Sequence, residues 1–225
     1  MRMTYRSEGV PFGSVAAYRP GQPRAGDTAM TRQGWELVMD LKFSDPERIK
    51  SIASWLASDN GRDLFPTYFG SGVVLVPAPG HAPRVRGGAP RSTTVELVRS
   101  MEAEGLGRRR EWLRRLEKVP KSAWSRAARP TEERHYSTTA LSAPPSLEID
   151  PVDRITVVDD VITTGATLHA CVRRIGEAFP LAAVAAFAVV RTIAGVTQLP
   201  RAFDPVPEGE GRIVRNVDGS TKRKP

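Results

Sequence analysis

One cysteine in 225 residues excludes an intrachain disulfide and any zinc module built from several thiolates. Cys171 falls at helical spacing among Leu168, Val172 and Ile175, where a buried structural thiol is expected. The histidines, at 81, 135 and 169, are scattered and suggest no protein-built transition-metal site. Long apolar runs are also missing: nothing approaches the roughly 18 residues of a membrane-spanning helix, and the N-terminus carries no signal-peptide core. A cytoplasmic protein with no membrane partner is the expectation. Aromatic residues make up only 7% of the chain, and no internal repeat is visible.

A chain of this size holds one core of roughly 150–200 residues with some periphery. Its apolar fraction of 40% fits a globular domain, and 19 Gly with 19 Pro imply many turns. The net charge is +8, and it is unevenly distributed. Residues 84–134 carry twelve Arg and two Lys against seven Glu, a local excess of seven positive charges. A basic segment of this kind suits nucleic acid, and equally a small ligand bearing several phosphates.

The most informative stretch is 155–167. Ile155-Thr156-Val157-Val158 reads as a buried strand and ends on the carboxylates Asp159 and Asp160. Val161-Ile162-Thr163-Thr164-Gly165-Ala166-Thr167 follows, leading into the helical pattern of 168–175. Exposed N–H groups at a helix start attract phosphate. Gly165 lets the backbone approach a ligand closely, while Thr163, Thr164 and Thr167 supply hydroxyl donors. Asp159 and Asp160 are poor phosphate ligands but good acceptors for sugar hydroxyls or for water on Mg²⁺.

These residues resemble the diphosphate-sugar signature of the type I phosphoribosyltransferases, which use phosphoribosyl pyrophosphate (PRPP). The resemblance implies that Asp159 and Asp160 hold the ribose hydroxyls and that Thr163, Thr164, Gly165, Ala166 and Thr167 cradle the 5′-phosphate. A second match lies at 72–87: Gly72-Val73-Val74-Leu75-Val76 reads as a buried strand stopped by Pro77-Ala78-Pro79-Gly80-His81. With Arg84 and Arg86-Gly87, this proline-rich strand end is similar to the competence-associated, ComF-like branch. There Gly80 and His81 would meet the pyrophosphate, with Arg84 beside them. Residues 118–136 resemble the family's mobile basic lid, in which Arg126 and Arg129 would take catalytic roles and Arg134 would bind ligand. Such a lid brings positive charge to a leaving diphosphate only when substrate is bound. Ser137 stands where the branch usually has asparagine, so that role is not carried over. The four-cysteine zinc module of many branch members is also absent from this sequence.

The implied fold is α/β, a mostly parallel central sheet flanked by helices with a small hood and a basic lid. The strand–helix–strand alternation at 72–190 argues independently for a parallel sheet covered on both faces. Residues 1–34 are expected to form a loose arm or part of the hood, with at most a short strand at 15–18. The core is expected at 35–199. Residues 35–43 read as either helix or strand, and Asp45-Pro46 opens a helix with Ile49, Ile52, Ala53 and Leu56 on one face. A helix begins at Ser92 or Thr93, and 108–116 reads as strand or basic helix. Leu181–Val190 contains a further buried strand. Residues 200–225, polar and proline-containing, are expected to be a flexible basic tail.

The resulting expectation is a Mg²⁺-dependent PRPP-binding transferase that displaces pyrophosphate with a nitrogen nucleophile. Mg²⁺ would enter with the pyrophosphate, with Asp159 and Asp160 in its outer coordination. The expected partners are PRPP or another ribose 5-phosphate compound and a nitrogenous base or amine acceptor. A second copy of the chain and weakly bound nucleic acid are further partners to consider. Two other classes remain open: a module that senses PRPP or a nucleotide without turnover, and a nucleic-acid-associated protein of DNA uptake or repair.

Overall fold

The computed structural model describes residues 9–83, 92–120, 130–142 and 152–224. Its centre is a seven-stranded sheet in the order β3-β2-β6-β7-β1-β8-β9. The strands are β1 (Val10–Tyr18), β2 (Val73–Pro77), β3 (Arg108–Arg109), β6 (Arg154–Ile162), β7 (Ala183–Thr192), β8 (Phe203–Arg215) and β9 (Thr221–Lys224). The run from β3 to β1 is parallel, whereas β8 and β9 join antiparallel. A separate antiparallel pair joins β4 (Leu113–Arg115) to β5 (Thr139–Leu141). The helices are α1 (Ala29–Lys42), α2 (Pro46–Ala57), α3 (Asp59–Leu64), α4 (Thr93–Ala103), α5 (Glu132–Ser137) and α6 (Ala166–Ala178).

Strand alternation divides the apolar side chains between two cores. Val73, Leu75 and Val158 face α1, α2 and α4, while Val74, Val76, Ile155 and Val157 face α6. Both faces are therefore covered, which is why the central strands read as continuous apolar runs. The mixed α/β architecture with flanking helices is thus as expected. The helix at 46–57 has the anticipated start: Asp45 caps it by accepting from the Arg48 N–H, with Pro46 in its first turn. Cys171 is fully buried, and burial pushes its thiol up to about 12.

Three expectations are corrected and one open alternative is settled. The N-terminal arm contains β1, a nine-residue interior strand between β7 and β8. Its pattern was hidden by small residues, and they have a packing reason: a Cβ on Gly13 would come within 2.8 Å of the Phe65 ring. Residues 35–42 are helical and belong to α1, so the expected boundary at 34/35 falls inside a helix. At 108–116, where strand and helix were both open, the chain forms two short strands, β3 and β4. The supposed tail forms β8 and β9, in which Val206 and Ile213 are buried. Pro205, Pro207, Gly209 and Gly211 argued against a strand, but register shifts along β1–β8 accommodate them. What draws β8 in is the edge of β1, whose buried backbone groups require partners.

Candidate functional site

The site forms where the parallel strands end. Pairing aligns Pro77 of β2 with Val158 of β6, so the 78–81 turn and the Asp159-Asp160 strand end emerge side by side. Asp159 follows Ile155 and Val157 on the α6 side of the sheet. Each aspartate restrains the backbone next to it: Asp159 Oδ1 accepts from the Asp160 N–H (3.0 Å) and Asp160 Oδ1 from the Val161 N–H (2.7 Å). The chain then turns at Gly165, whose φ of 92° is left-handed, and α6 begins. No side chain caps α6, so its first-turn N–H groups remain available to an anion.

A cavity of about 280 Å³ opens on this junction, close to the lower end of the range for small-molecule sites. Pro79, Gly80 and His81 border it on one side, Asp159, Asp160, Thr163, Gly165, Ala166 and Thr167 on another. The structure thus brings together most of the residues singled out in the sequence. Thr164 is turned away from the cavity, its hydroxyl accepting from that of Thr221 on β9 (3.3 Å). Arg134 also stands apart: it is exposed and paired with Glu117 at 3.1 Å. Arg84, Arg126 and Arg129 lie outside the described residues. Of the expected lid at 118–136, residues 132–137 are the helix α5, docked on α6. Arg173 and Arg174 of α6 both lie 3.7 Å from the Tyr136 ring centroid, and Arg174 donates to the Tyr136 carbonyl at 2.8 Å.

Gly165 proves necessary for a reason other than ligand approach. A Cβ there would sit 2.6 Å from Cγ2 of Ile213, so β8 packs directly under the turn. The left-handed φ independently disfavours any side chain.

Two residues not singled out as ligands complete the cavity wall. Arg115 of β4 is buried and donates to the carbonyls of Gly80 (3.0 Å) and His135 (3.2 Å) and to the hydroxyls of Thr138 (2.9 Å) and Thr139 (2.8 Å). Its remaining nitrogen meets His135 Nδ1 at 3.3 Å. A guanidinium has only donors, so Nδ1 is the acceptor and Nε2 carries the imidazole hydrogen. That Nε2 faces the Thr167 hydroxyl at 3.4 Å. Burial, reinforced by Arg115 and opposed by Glu132, lowers His135 to about 4, so the ring is neutral at physiological pH. The period-two pattern at Leu113 and Arg115 was the sequence signal for an inward-pointing arginine. It was obscured by the surrounding basic residues.

The electrostatics of the strand end are unbalanced. Asp159 opens to the cavity but is otherwise enclosed by protein. Burial first, and then the neighbouring Asp160, raise its pKa well above the usual carboxylate value, with Arg115 acting in the opposite direction. The Arg115 guanidinium is lowered by its own burial, and among the described residues its hydrogen bonds go to uncharged acceptors.

No family model and no curated protein matches this chain. The chemistry must be argued from the site. Among the described residues no group of three or more His, Cys, Asp or Glu is arranged to hold a metal. Two adjacent carboxylates on a cavity suit Mg²⁺ held mainly by water and ligand oxygens.

Proposed function

We propose that the protein is a Mg²⁺-dependent, PRPP-binding phosphoribosyltransferase, adopting the type I fold of that family and transferring ribose 5-phosphate to a nitrogen nucleophile. One observation carries the reading: two carboxylates, a left-handed glycine turn and an uncapped helix N-terminus converge on one cavity at the end of β6. A sugar phosphate needs this combination, with anion-binding N–H groups for the phosphate and acceptors for the hydroxyls.

In this mechanism the first-turn amides of α6, with the hydroxyls of Thr163 and Thr167, bind the 5′-phosphate. Asp159 and Asp160 accept from the ribose hydroxyls and face the positive charge that develops as the bond from C1 to pyrophosphate breaks. The nitrogen nucleophile bonds to C1, and pyrophosphate leaves with the electron pair. Gly80 and His81 border the leaving group, and Arg115 fixes the carbonyl of Gly80 there while adding a positive charge. Arg84, Arg126 and Arg129 are assigned to the same diphosphate through the family resemblance. Asp159 and Asp160 would hold Mg²⁺ through water, and it would supply charge neutralisation to the leaving diphosphate. The test is to incubate the protein with Mg²⁺ and PRPP, with purine, pyrimidine, nicotinate-like and amine acceptors in turn, while following pyrophosphate. Release that depends on one acceptor and is lost in both Asp159→Asn and Asp160→Asn supports the transferase. Binding of PRPP without release for any acceptor points to the sensing module.

A further inference from the structure

Glu132, the first residue of α5, is completely buried. A carboxylate in that position is costly unless charges of opposite sign surround it. Three do. Arg215 of β8 places Nε 3.0 Å from Oε2, and Arg173 and His169 of α6 each lie 3.5 Å from Oε1. Burial pushes the carboxyl pKa up, but His169, Arg173 and Arg215 outweigh it, and the net shift is downward. Glu132 therefore remains ionised at a meeting point of three elements.

Each of those elements also touches the turn at 163–167. Helix α6 begins there. Ile213, two residues before Arg215 on β8, packs beneath Gly165. Thr221 of β9, paired in register with Arg215, donates to the Thr164 hydroxyl. One turn along α5 from Glu132, His135 faces the Thr167 hydroxyl. A helix of only six residues has little stability of its own, so such contacts must set its position.

We propose that Glu132 is a positioning residue for this turn. Its ion pairs to Arg215 and Arg173 hold α5 and the β8–β9 hairpin against the start of α6, so that Gly165 and Thr167 keep a ligand-ready geometry. The ligand side of the proposal rests on the phosphate-binding role assigned to the turn, whereas the coupling itself does not. Helix α5 has a second attachment through Tyr136, Arg173 and Arg174, so loss of Glu132 should release mainly the hairpin arm. Placed between Arg173 and Arg215, the carboxylate specifies how three elements meet.

The test compares Glu132→Gln, Arg215→Gln and the double variant with the wild type. Amide hydrogen exchange is followed through 163–169 and 213–221, and binding of ribose 5-phosphate is measured by calorimetry. Each single variant should speed exchange in those two segments and weaken ribose 5-phosphate by about tenfold, in the range of short-range coupling between contacting groups. The double variant should be no worse than either single one, and Arg215→Lys should recover part of the loss. Protection in β2 and β7 should be unchanged. Unaltered exchange at 163–169, or protection lost evenly from β2 and β7, would overturn the proposal. Should Glu132→Gln fail to fold, Arg215→Gln, at a half-exposed position, gives the same readout. Wild-type protein that does not bind ribose 5-phosphate would contradict the proposed function, and the exchange data would then decide the coupling alone.

Discussion

Asp159 and Glu132 are two enclosed carboxylates that the fold treats in opposite ways. Glu132 has three positively charged or protonatable neighbours and a lowered pKa. Asp159 has another carboxylate as its neighbour and a raised pKa, and the nearby Arg115 directs its hydrogen bonds to uncharged groups. One charge is neutralised where three elements must be held together. The other is left unbalanced on the edge of a cavity. Local rules of stability are obeyed at the first place and broken at the second, and such breaks concentrate at functional sites.

The largest effect should come from removing the unbalanced charge during turnover. Asp159→Asn and Asp160→Asn should each lower pyrophosphate release more than they weaken PRPP binding, because the charge matters most as the sugar becomes cationic. By comparison with other preorganised electrostatic contacts, the loss should be about 2–4 kcal/mol, or roughly 30- to 1,000-fold in rate. Equal losses in affinity and turnover would remove the distinction drawn for Asp159.

Next is the turn itself. Gly165→Val places a branched side chain at left-handed φ and against Ile213, which should cost about 2–4 kcal/mol of stability. Combining it with Ile213→Ala should recover the part due to the clash and leave the backbone part, readable as a partial return of Tm. Complete recovery would mean that the φ of Gly165 contributes no strain.

The two carboxylates should also differ in sign with pH. Glu132, with its folded pKa lowered, contributes stability that is present above its unfolded value and is lost as pH falls through the folded one. Glu132→Gln should therefore destabilise at neutral pH by about 2 kcal/mol. That is less than for a fully buried pair, because Arg173 and Arg215 can return to solvent. The deficit should vanish in acid. Asp159, with its folded pKa raised, contributes stability that is present below its unfolded value and is lost as pH rises through the folded one. Asp159→Asn should accordingly raise Tm at neutral pH, with the gain disappearing below about pH 4. Denaturant titrations from pH 3 to 8 would show two difference curves of opposite sign; curves of the same sign would undo the comparison.

How much of this was legible in the sequence follows from how local each signal is. The strand end, the hydroxyl-rich turn and α6 lie within one continuous stretch, and their order alone pointed to a phosphate site. The turn at 79–81 was legible because prolines stop a strongly apolar strand. Arg115, His135 and Glu132 were not, since a basic run conceals which members point inward until β4, α5 and α6 are packed. The β8–β9 hairpin was missed because its prolines and glycines resemble a disordered tail, and only the edge of β1 makes a strand of them. The support beneath Gly165 comes from Ile213, far along the chain, which no local pattern reveals.

The smallest effect concerns the basic segment. Arg109 is already engaged with Glu102 and Glu111, and so is less able to neutralise DNA phosphates. Double-stranded DNA should bind weakly at about 150 mM salt and progressively less as salt rises. Submicromolar binding under those conditions, abolished by changing Arg108, Arg109 and Arg110, would shift the account toward nucleic acid.

The most direct test of the central claim, that the cavity at the end of β6 binds a sugar phosphate, is calorimetry of the folded wild-type protein with PRPP and Mg²⁺. One site in the low-to-middle micromolar range, about −6 to −8 kcal/mol, is expected, with weaker binding of ribose 5-phosphate at the same site. Binding of both should be lost in Gly165→Val protein that retains its fold. A folded wild-type protein that binds neither PRPP nor ribose 5-phosphate would contradict the claim.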